Sequence, residues 1–346
     1  MKALTVAMVL ATPATTWGGM EQYTRTLALA LAHRGHALHI LAHPDYADRF
    51  PAPLIFHPLP VGLGRRNPWL RHRLRQSLRQ IRPDLCHAQG NKAAALLSVT
   101  TPAGTVSVGT VHGLKSSHTS FRRLHGVIAV SQQVFEGLNH PHKELIHNGL
   151  EPAAPHWDQA PATLPKALTR PLVLAAGRLE PVKGFDRLIQ AWAALPPPGH
   201  LIIAGEGSQR AHLQNLIDGL EATHRVTLAG YCEDLQAWLA QADVVVVSSE
   251  REGFGYLVIE ALQAGCPVLS PPVGCAPELL PPDCLAADAS VAALQALLIT
   301  HLSSLDGLRD RQADAMRRAS TEFTATAMTE RTEAWYRALV QREALG

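Results

Sequence analysis

Short apolar runs and amphipathic segments alternate along the whole chain. Residues 4–10 and 244–247 are largely apolar and residues 105–111 contain three valines, which is typical of strands buried in a parallel sheet. Between such runs, segments such as 20–34 and 69–81 repeat apolar residues at helical spacing. Because strands and helices alternate over the length of the chain, we predict an α/β fold built from two Rossmann-like, doubly wound parallel sheets.

The alternation is interrupted once, over residues 151–170, which contain four prolines and little periodicity. Such a segment is typical of a linker between domains. A chain of 346 residues is also longer than one compact core usually allows. We therefore predict an N-terminal Rossmann-like domain over residues 1–160 and a second over residues 161–323. The long helical pattern of residues 324–346 is predicted to cross back to the N-terminal domain.

The composition is that of an ordinary globular protein, with 47% apolar and 17% charged residues. The sequence shows no apolar run near the ~18–20 residues that a membrane-spanning helix requires. The apolar start, residues 1–10, leads into a turn and an amphipathic helix, so we interpret it as a first strand rather than a signal peptide. The five cysteines have no Cys-x-x-Cys spacing and are expected to be free thiols, which predicts a cytoplasmic protein.

Charge is distributed unevenly, since residues 1–165 have 16 Lys and Arg against 8 Asp and Glu, and residues 166–346 have 15 against 21. Seven arginines lie in residues 65–82, around a stripe of three leucines and Ile81. We predict a helix there whose basic face contacts an anionic membrane surface or a phosphorylated acceptor. The alternative is a core-docked helix with a solvated face. The segment lacks the interleaved aromatic residues of a nucleic-acid-binding module, so no nucleic-acid partner is expected.

Polar residues and glycines follow several of the predicted strands directly. In doubly wound sheets, ligands bind beyond the carboxyl ends of the strands, so these residues are candidates for a binding site. They are Gly18, Gly19, His112, Arg178, Lys183, Gly205 and Glu252. They come from both halves of the chain, and we predict that the site lies in a cleft between the two domains.

Two glycines and two carboxylates follow the apolar run of residues 244–247. Gly253 and Gly255 indicate a turn, and the helix predicted after it presents free backbone N–H groups to a phosphate. Glu252 is expected in the turn and Glu260 about two turns into the helix, so that each carboxylate reaches hydroxyl groups on one side of a diphosphate. This spacing points to recognition of a nucleotide sugar.

Arg178 and Lys183 lie between another predicted strand and a helix. Arginine presents a planar fork to phosphate oxygens, and lysine adds a mobile point charge. Together they neutralise a leaving diphosphate without a metal cation. The sequence also contains no Asp-x-Asp, the usual motif that binds a metal-bound nucleotide sugar. We therefore expect no metal and no cofactor. His112 ends a buried strand at the same predicted site, and we interpret it as functional rather than structural.

With these elements, the chain resembles the retaining nucleotide-sugar glycosyltransferases of family four, which share the two-domain type-B fold. The resemblance covers nearly the whole chain and is strongest in the second half. The segments that carry it are residues 176–184, 204–207, 229–231 and 252–268, with 18–21, 111–113, 130–131 and 146–149 in the first half.

The resemblance implies a role in donor binding for each candidate residue. Arg178 and Lys183 hold the diphosphate, Glu260 bonds the ribose hydroxyls, and Gly205 lines the same site. Glu252 and His112 contact the donor sugar, His112 near the reacting carbon. Backbone groups complete the site. Gly19, beside Gly18, packs on the diphosphate. Backbone amides hold the donor sugar and phosphate at Phe254, Gly255, Tyr256 and Leu257. His112, Glu252, Arg178 and Lys183 are the residues expected to be required for catalysis.

The resemblance further implies transfer of a hexose from a UDP- or GDP-sugar to a glycan or lipid-linked acceptor, with retention of anomeric configuration. In that reaction the leaving phosphate helps to deprotonate the acceptor. We expect a role in lipopolysaccharide or cell-envelope polysaccharide synthesis, at the inner face of the cytoplasmic membrane. Two alternatives stay open: a nucleotide-sugar epimerase of the same shape, and an inactive sugar-nucleotide-binding subunit. The intact pair of carboxylates and the pair of cations argue against both.

Overall fold

The computed structural model describes residues 2–14, 17–114, 117–151, 164 and 168–345. The chain divides into two compact units, which we call unit 1 (residues 1–151 and 322–346) and unit 2 (residues 152–321). Most of the predicted linker of residues 151–170 falls outside the described residues.

Strands and helices alternate through both units. The strands are β1 (Thr5–Leu10), β2 (Ala37–Ala42), β3 (Ile55–Pro58), β4 (Leu85–Gln89), β5 (Val106–Val111), β6 (Gly126–Ala129), β7 (Lys143–Leu145), β8 (Leu172–Ala176), β9 (His200–Ala204), β10 (Val226–Gly230), β11 (Val244–Val246) and β12 (Val268–Leu269). The helices are α1 (Gly19–His33), α2 (Pro68–Ile81), α3 (Gly90–Thr100), α4 (Gln132–Glu136), α5 (Phe185–Ala193), α6 (Arg210–Gly219), α7 (Leu235–Gln241), α8 (Tyr256–Gln263), α9 (Ala276–Leu279), α10 (Val291–Leu302), α11 (Leu305–Arg311), α12 (Ala313–Glu322) and α13 (Ala325–Leu345).

Each unit is built on its own parallel sheet. In unit 1 the strand order is β3-β2-β1-β4-β5-β6-β7, and in unit 2 it is β10-β9-β8-β11-β12. The central strands are buried on both faces, as their continuous apolar sequences require. In both sheets the strand order reverses beside the first strand of the unit, the place where doubly wound sheets bind ligands. The predicted α/β fold with two doubly wound sheets is confirmed.

The basic segment of residues 65–82 forms α2, which starts at Pro68 after an Asn67 cap. Leu70, Leu74 and Leu78 are fully buried, and each such side chain contributes about 1.5–3 kcal/mol relative to an exposed position. Most of its arginines are exposed. The helix is therefore docked on the core of unit 1 by the predicted apolar stripe, with a basic outer face.

The C-terminal helix α13 is part of unit 1 and packs against α1. Glu333 on α13 lies 2.6 Å from Nε of Arg34 and 2.6 Å from Nη2 of Arg337. Burial would raise the pKa of Glu333, but hydrogen bonds from Arg337, Arg34 and His36 outweigh burial and lower it to about 2. The ion pair between Arg34 and Glu333, together with the buried ring of Tyr336, anchors the helix to the rest of unit 1, whereas Arg337 pairs with Glu333 within the helix.

In the described part of the chain, no helix combines the length and the apolar character needed to cross a membrane.

Candidate functional site

In unit 2, the loops that follow β8, β9 and β11 emerge at one edge of the sheet, because the strands are parallel neighbours. Arg178 and Lys183 belong to the loop after β8, Gly205 follows β9, and Glu252 lies in the loop after β11. The order of strands therefore collects these four predicted site residues at the carboxyl edge of a single sheet.

Glycines follow or end three neighbouring strands at this edge, and at one of them two backbone segments touch each other. Gly177, Gly205 and Gly230 all have positive φ values, of 151°, 148° and 80°. A Cβ atom on Gly205 would overlap the carbonyl oxygen of Gly177. The Gly205 amide donates to the carbonyl of Gly230 at 2.7 Å. Close backbone packing thus requires glycine at position 205, and its role in donor binding stays a prediction.

Lys183 and Glu252 form an ion pair at this edge, with Nζ 2.6 Å from Oε1. The hydroxyl of Ser249 donates to the same carboxylate oxygen at 2.7 Å, and that of Ser248 donates to the Lys183 carbonyl at 2.8 Å. The two side chains are mostly buried, with 24% of Lys183 and 17% of Glu252 exposed. Two segments 69 residues apart are thereby joined, and the ammonium group is held in place by a carboxylate.

Arg178 is exposed, and within the described part of unit 2 it has no ion-pair partner. It lines an open pocket of about 610 Å³ together with Glu180, Gln209 and Arg251. A guanidinium group in this position is available to an anionic ligand, whereas the charge of Lys183 is already balanced by Glu252.

The turn before α8 is held firmly by its neighbours. Phe254 is buried, its carbonyl accepts the amide of Cys275 at 2.7 Å, and its ring stands edge-on to that of Tyr256 with centroids 5.1 Å apart. Gly255 has a φ of 89°, a left-handed conformation that lets the chain enter α8 at Tyr256. Leu257 is half-buried in the first turn of the helix.

Glu260 is the fifth residue of α8, so it lies about one turn into the helix at ~3.6 residues per turn. The prediction of two turns is wrong, because the turn extends to Gly255 before the helix begins. The side chain is only partly exposed, and burial raises its pKa to about 7. At neutral pH both the protonated and the ionised form of this carboxyl are therefore populated.

In unit 1, Gly18 and Gly19 stand at the N-terminus of α1, after β1. Gly18 is extended (φ −137°, ψ −168°), a conformation open to other residues, so the backbone alone does not demand glycine there. Its amide donates to Glu21 at 3.1 Å, and Thr12 donates to the other oxygen of that carboxylate at 2.8 Å. The loop is thus fixed by Glu21, and the approach of a ligand to Gly18 and Gly19 stays a prediction.

His112 directly follows β5, as the sequence indicated. Its Nε2 lies 2.8 Å from Oε1 of Gln89, at the end of β4, and its ring packs edge-on against Tyr23 with centroids 4.8 Å apart. Burial lowers the pKa of His112 to about 3, so the imidazole is neutral at physiological pH. A neutral imidazole donates or accepts a hydrogen bond but adds no charge to the site.

Among the residues that contact the predicted site residues, Gln89 and Ser249 were not predicted from the sequence. Gln89 belongs to a polar alternation on two neighbouring strands, with His87 two residues before it on β4 and Thr110 two residues before His112. Residues two apart in a strand share a face, so this alternation was a usable signal. Ser249 carried no such signal, because its partner lies in the same loop.

One group in the described residues has the spacing of a metal site, formed by Asp283, Cys284 and His301. However, Nε2 of His301 lies 2.7 Å from the carbonyl of Asp283, and its Nδ1 lies 3.1 Å from Nη2 of Arg311. Because both ring nitrogens are engaged and a guanidinium is adjacent, this group is best explained as structural packing.

Two parallel-sheet units with a basic and an acidic loop at one sheet edge define the architecture of the type-B glycosyltransferases. Solved structures with this architecture superpose on nearly the whole chain. Anabaena HepE in complex with UDP gives a TM-score of 0.80 at 21% identity, over 97% of this chain and 100% of that one. Sucrose-phosphate synthase from Thermosynechococcus elongatus gives 0.79 at 22% identity, over 98% and 100%.

Each half of the chain matches a glycosyltransferase family by sequence. Residues 17–154 match Glycosyltransferase Family 4 and residues 158–318 match Glycosyl transferases group 1. The chain belongs to this family of group 1 glycosyltransferases.

Among curated relatives, the lipopolysaccharide core biosynthesis glycosyltransferase LpsE of Rhizobium meliloti is 39% identical over 100 residues, 29% of each chain. The GDP-mannose-dependent alpha-mannosyltransferase of Mycobacterium tuberculosis is 30% identical over 240 residues, 61% of each chain. The matches thus span from under a third to about three fifths of these relatives.

Proposed function

We propose that this protein is a glycosyltransferase that moves a hexose from a nucleotide-sugar donor, a UDP- or GDP-sugar, to a glycan or lipid-linked acceptor. The observation that carries the proposal is the contact between Lys183 and Glu252 at the carboxyl edge of the unit 2 sheet. It joins the two loops in which the sequence predicts diphosphate and sugar recognition. The family of the chain supports the same reaction.

Arg178 and Lys183 are proposed to bind the donor diphosphate. Arg178 is exposed beside an open pocket, and Lys183 is oriented by Glu252, so the two cations differ in mobility. The N-terminal end of α8 is proposed to face the phosphate, because the helix dipole makes that end partially positive.

Glu252 and Glu260 are proposed to recognise the sugar and ribose hydroxyls. One oxygen of Glu252 already accepts from Lys183 and Ser249, which fixes the carboxylate in one orientation. Glu260 has a pKa of about 7, so it can bond a ribose as either an ionised acceptor or a protonated donor. His112 and Gly19 of unit 1 are proposed to contact the donor sugar and its diphosphate.

We propose that transfer retains anomeric configuration, with the leaving phosphate taking the proton of the attacking acceptor hydroxyl. The cationic side chains stabilise the charge that develops on that phosphate, which is usually a large catalytic contribution. Because Arg178 and Lys183 supply this charge, activity is expected to survive EDTA. A strict metal requirement would contradict the neutralisation argument.

Purified protein incubated with UDP- and GDP-sugars, with and without an acceptor extract, tests the proposal. Nucleotide release stimulated by the extract supports transfer. A changed sugar still attached to its nucleotide would identify an epimerase, and binding without turnover in either condition would identify a sugar-nucleotide-binding subunit.

The Glu252→Gln variant separates chemistry from binding in the same assay. It removes the negative partner of Lys183, so we expect nucleotide affinity to stay equal or rise slightly while transfer is abolished. Near-normal transfer in this variant would remove Glu252 from the mechanism. Ser248→Ala, which loses only a contact to a backbone carbonyl, is a control in the same loop.

For the acceptor, we propose a lipid-linked or lipopolysaccharide-core glycan met at the inner face of the cytoplasmic membrane. The proposal draws on the basic outer face of α2 and on the stated role of LpsE in lipopolysaccharide core biosynthesis. Replacing Arg71, Arg75 and Arg79 with Ser should weaken sedimentation with anionic liposomes. No change would leave α2 as a core-docked helix with a solvated face.

A further inference from the structure

A chain of hydrogen bonds links the predicted site histidine to the C-terminal helix through the core of unit 1. His112 Nε2 lies 2.8 Å from Gln89 Oε1. The Gln89 Nε2 atom lies 3.4 Å from His87 Nδ1, and the same His87 nitrogen lies 2.5 Å from the Tyr336 hydroxyl. Gln89 and His87 are buried, with 2% and 0% of each residue exposed. Gln89, His87 and Tyr336 are thus shielded from water and must be satisfied by other protein groups, whereas His112 is half-buried.

The geometry follows from strand register. Residues two apart in a strand share a face, so His87 and Gln89 lie on one face of β4. β5 pairs with β4 in parallel, with Gln89 opposite Thr110, which places Thr110 and His112 beside them. The rings of Tyr23 from α1 and Tyr336 from α13 cover this polar face.

The Tyr336 hydroxyl determines which group donates and which accepts along these hydrogen bonds. Among the described residues its hydrogen-bond partner is Nδ1 of His87, so donation to that nitrogen is the arrangement that leaves no buried proton without an acceptor. Burial lowers the pKa of His87 to about 3, so its ring is neutral and holds a single proton. That proton must be on Nε2, which then donates to Thr110 Oγ1 at 2.7 Å.

The orientation of the Gln89 amide follows from the same argument. The one lone pair of His87 Nδ1 already accepts from Tyr336 at 2.5 Å, so the Gln89 contact at 3.4 Å is weak and shares that lone pair. The atom in this contact must still be the amide nitrogen, because a carbonyl oxygen would be repelled by the lone pair. The carbonyl oxygen therefore faces His112, and Nε2 of His112 must carry the proton that it accepts. Nδ1 of His112 is left with a lone pair and has no hydrogen-bond partner among the described residues.

We propose that Gln89 is a positioning residue which, oriented by His87 and Tyr336, holds His112 in its Nε2–H tautomer so that Nδ1 accepts a hydrogen bond from a hydroxyl of the bound sugar. The final contact with a sugar rests on the proposed function, whereas the tautomer does not. The arrangement gives His112 a fixed polarity at the site: it accepts from a ligand hydroxyl and does not donate to a ligand carbonyl.

Nitrogen-15 NMR of the full chain with labelled histidine tests the tautomer without any substrate. The His112 signals are assigned by their loss in His112→Phe. In the wild type at neutral pH we expect a protonated, pyrrole-type Nε2 and an unprotonated, pyridine-type Nδ1. A protonated Nδ1 in the wild type would overturn the proposal, and His112→Phe serves only to assign the signals.

Two variants test how the tautomer is set. Gln89→Met removes the acceptor and should give a mixture of His112 tautomers. Tyr336→Phe removes the donor that holds His87 in its Nε2–H tautomer. When His87 instead carries its proton on Nδ1, it donates to the Gln89 carbonyl, which turns the amide over and shifts His112 toward Nδ1–H. Thr329→Val is the matched control, because it removes a buried hydroxyl of the same helix that bonds only a backbone carbonyl. Unchanged tautomers in both test variants would refute the role of Gln89.

Transfer kinetics complete the test. We expect Gln89→Met to lower kcat about tenfold, the equivalent of about one hydrogen bond, with the control unchanged. If no nucleotide sugar is turned over by the wild type, the proposed function fails while the NMR result still decides the tautomer. If transfer proceeds at the wild-type rate in Gln89→Met, the positioning role is refuted and the proposed function stands.

Discussion

The Glu260→Gln substitution removes a charge that unit 2 buries at the predicted donor site. Burial raises the pKa of this carboxyl from its ordinary value of 4.5 to about 7. As pH rises, the unfolded chain ionises first, so the folded unit loses stability between these two values, and the loss is complete above about pH 7. Because glutamine has nearly the same shape and no charge, the variant should escape this loss.

The magnitude follows from the two pKa values. They differ by about 2.5, and at about 1.4 kcal/mol per pKa unit the buried charge destabilises unit 2 by about 3 kcal/mol at pH 8. At pH 5, where the folded carboxyl is protonated and the unfolded one only partly ionised, the same treatment gives about 1 kcal/mol. The stabilisation by Glu260→Gln should therefore grow by about 2 kcal/mol between pH 5 and pH 8.

Hydrogen exchange followed by mass spectrometry measures this free energy in unit 2 itself, through the amides of the core strands β8 and β9. Glu233→Gln is the control, since it makes the same chemical change at an exposed position of unit 2. We further expect Glu260→Gln to weaken nucleotide binding even though it stabilises the fold. A variant no more stable than the wild type at pH 8, or equally stabilised at both pH values, would refute the burial argument.

Three further predictions concern the fold that supports the two sites. Gly205→Ala should destabilise unit 2 by at least about 2 kcal/mol, because its Cβ overlaps the backbone of Gly177; normal exchange protection of β8 and β9 would contradict this. Glu333→Gln should destabilise unit 1 by about 2 kcal/mol in urea denaturation, since it removes the charged hydrogen bonds that this buried carboxylate accepts from the partly exposed Arg34 and Arg337; a change below about 0.5 kcal/mol would count against the anchoring role. Because burial lowers the pKa values of His87 and His112, their rings take up protons on unfolding below about pH 6.5. The free energy of unfolding of unit 1 should therefore fall by about 2–3 kcal/mol between pH 7.5 and pH 5.5. A flat pH profile would show that the rings are not buried as neutral groups.

The fold is predictable from the sequence because the spacing of apolar residues indicates its strands and helices. The apolar stripe of α2 and the buried strands of both sheets fall where the sequence placed them, with ends displaced by a few residues. The main exception is Glu260, whose depth in α8 depends on a left-handed Gly255 that ends the turn. A glycine in a pattern indicates a turn but does not say on which residue the next helix begins.

The contacts within the candidate site are harder to predict from the sequence than the fold is. Lys183 and Glu252 were each predicted to bind the donor, but their ion pair depends on β8 and β11 being neighbours in the sheet, which residue spacing does not encode. Gly205 was assigned to ligand binding alone, whereas its contact with Gly177 shows a structural requirement. Gln89 has no motif of its own in the sequence, and its contact with His112 depends on the pairing of β4 with β5.

Calorimetric titration of UDP and GDP tests most directly the central claim that the carboxyl edge of the unit 2 sheet binds a nucleoside diphosphate. The wild type is compared with Arg178→Met, Lys183→Met and Arg317→Met, the last removing an exposed arginine of α12 as a control. Since a hydrogen bond to a charged group contributes about 1.5–3 kcal/mol, each of the first two substitutions should raise Kd about 10- to 100-fold. The control should bind as the wild type does. Binding of neither nucleotide, or equal affinity in all four proteins, would contradict the account.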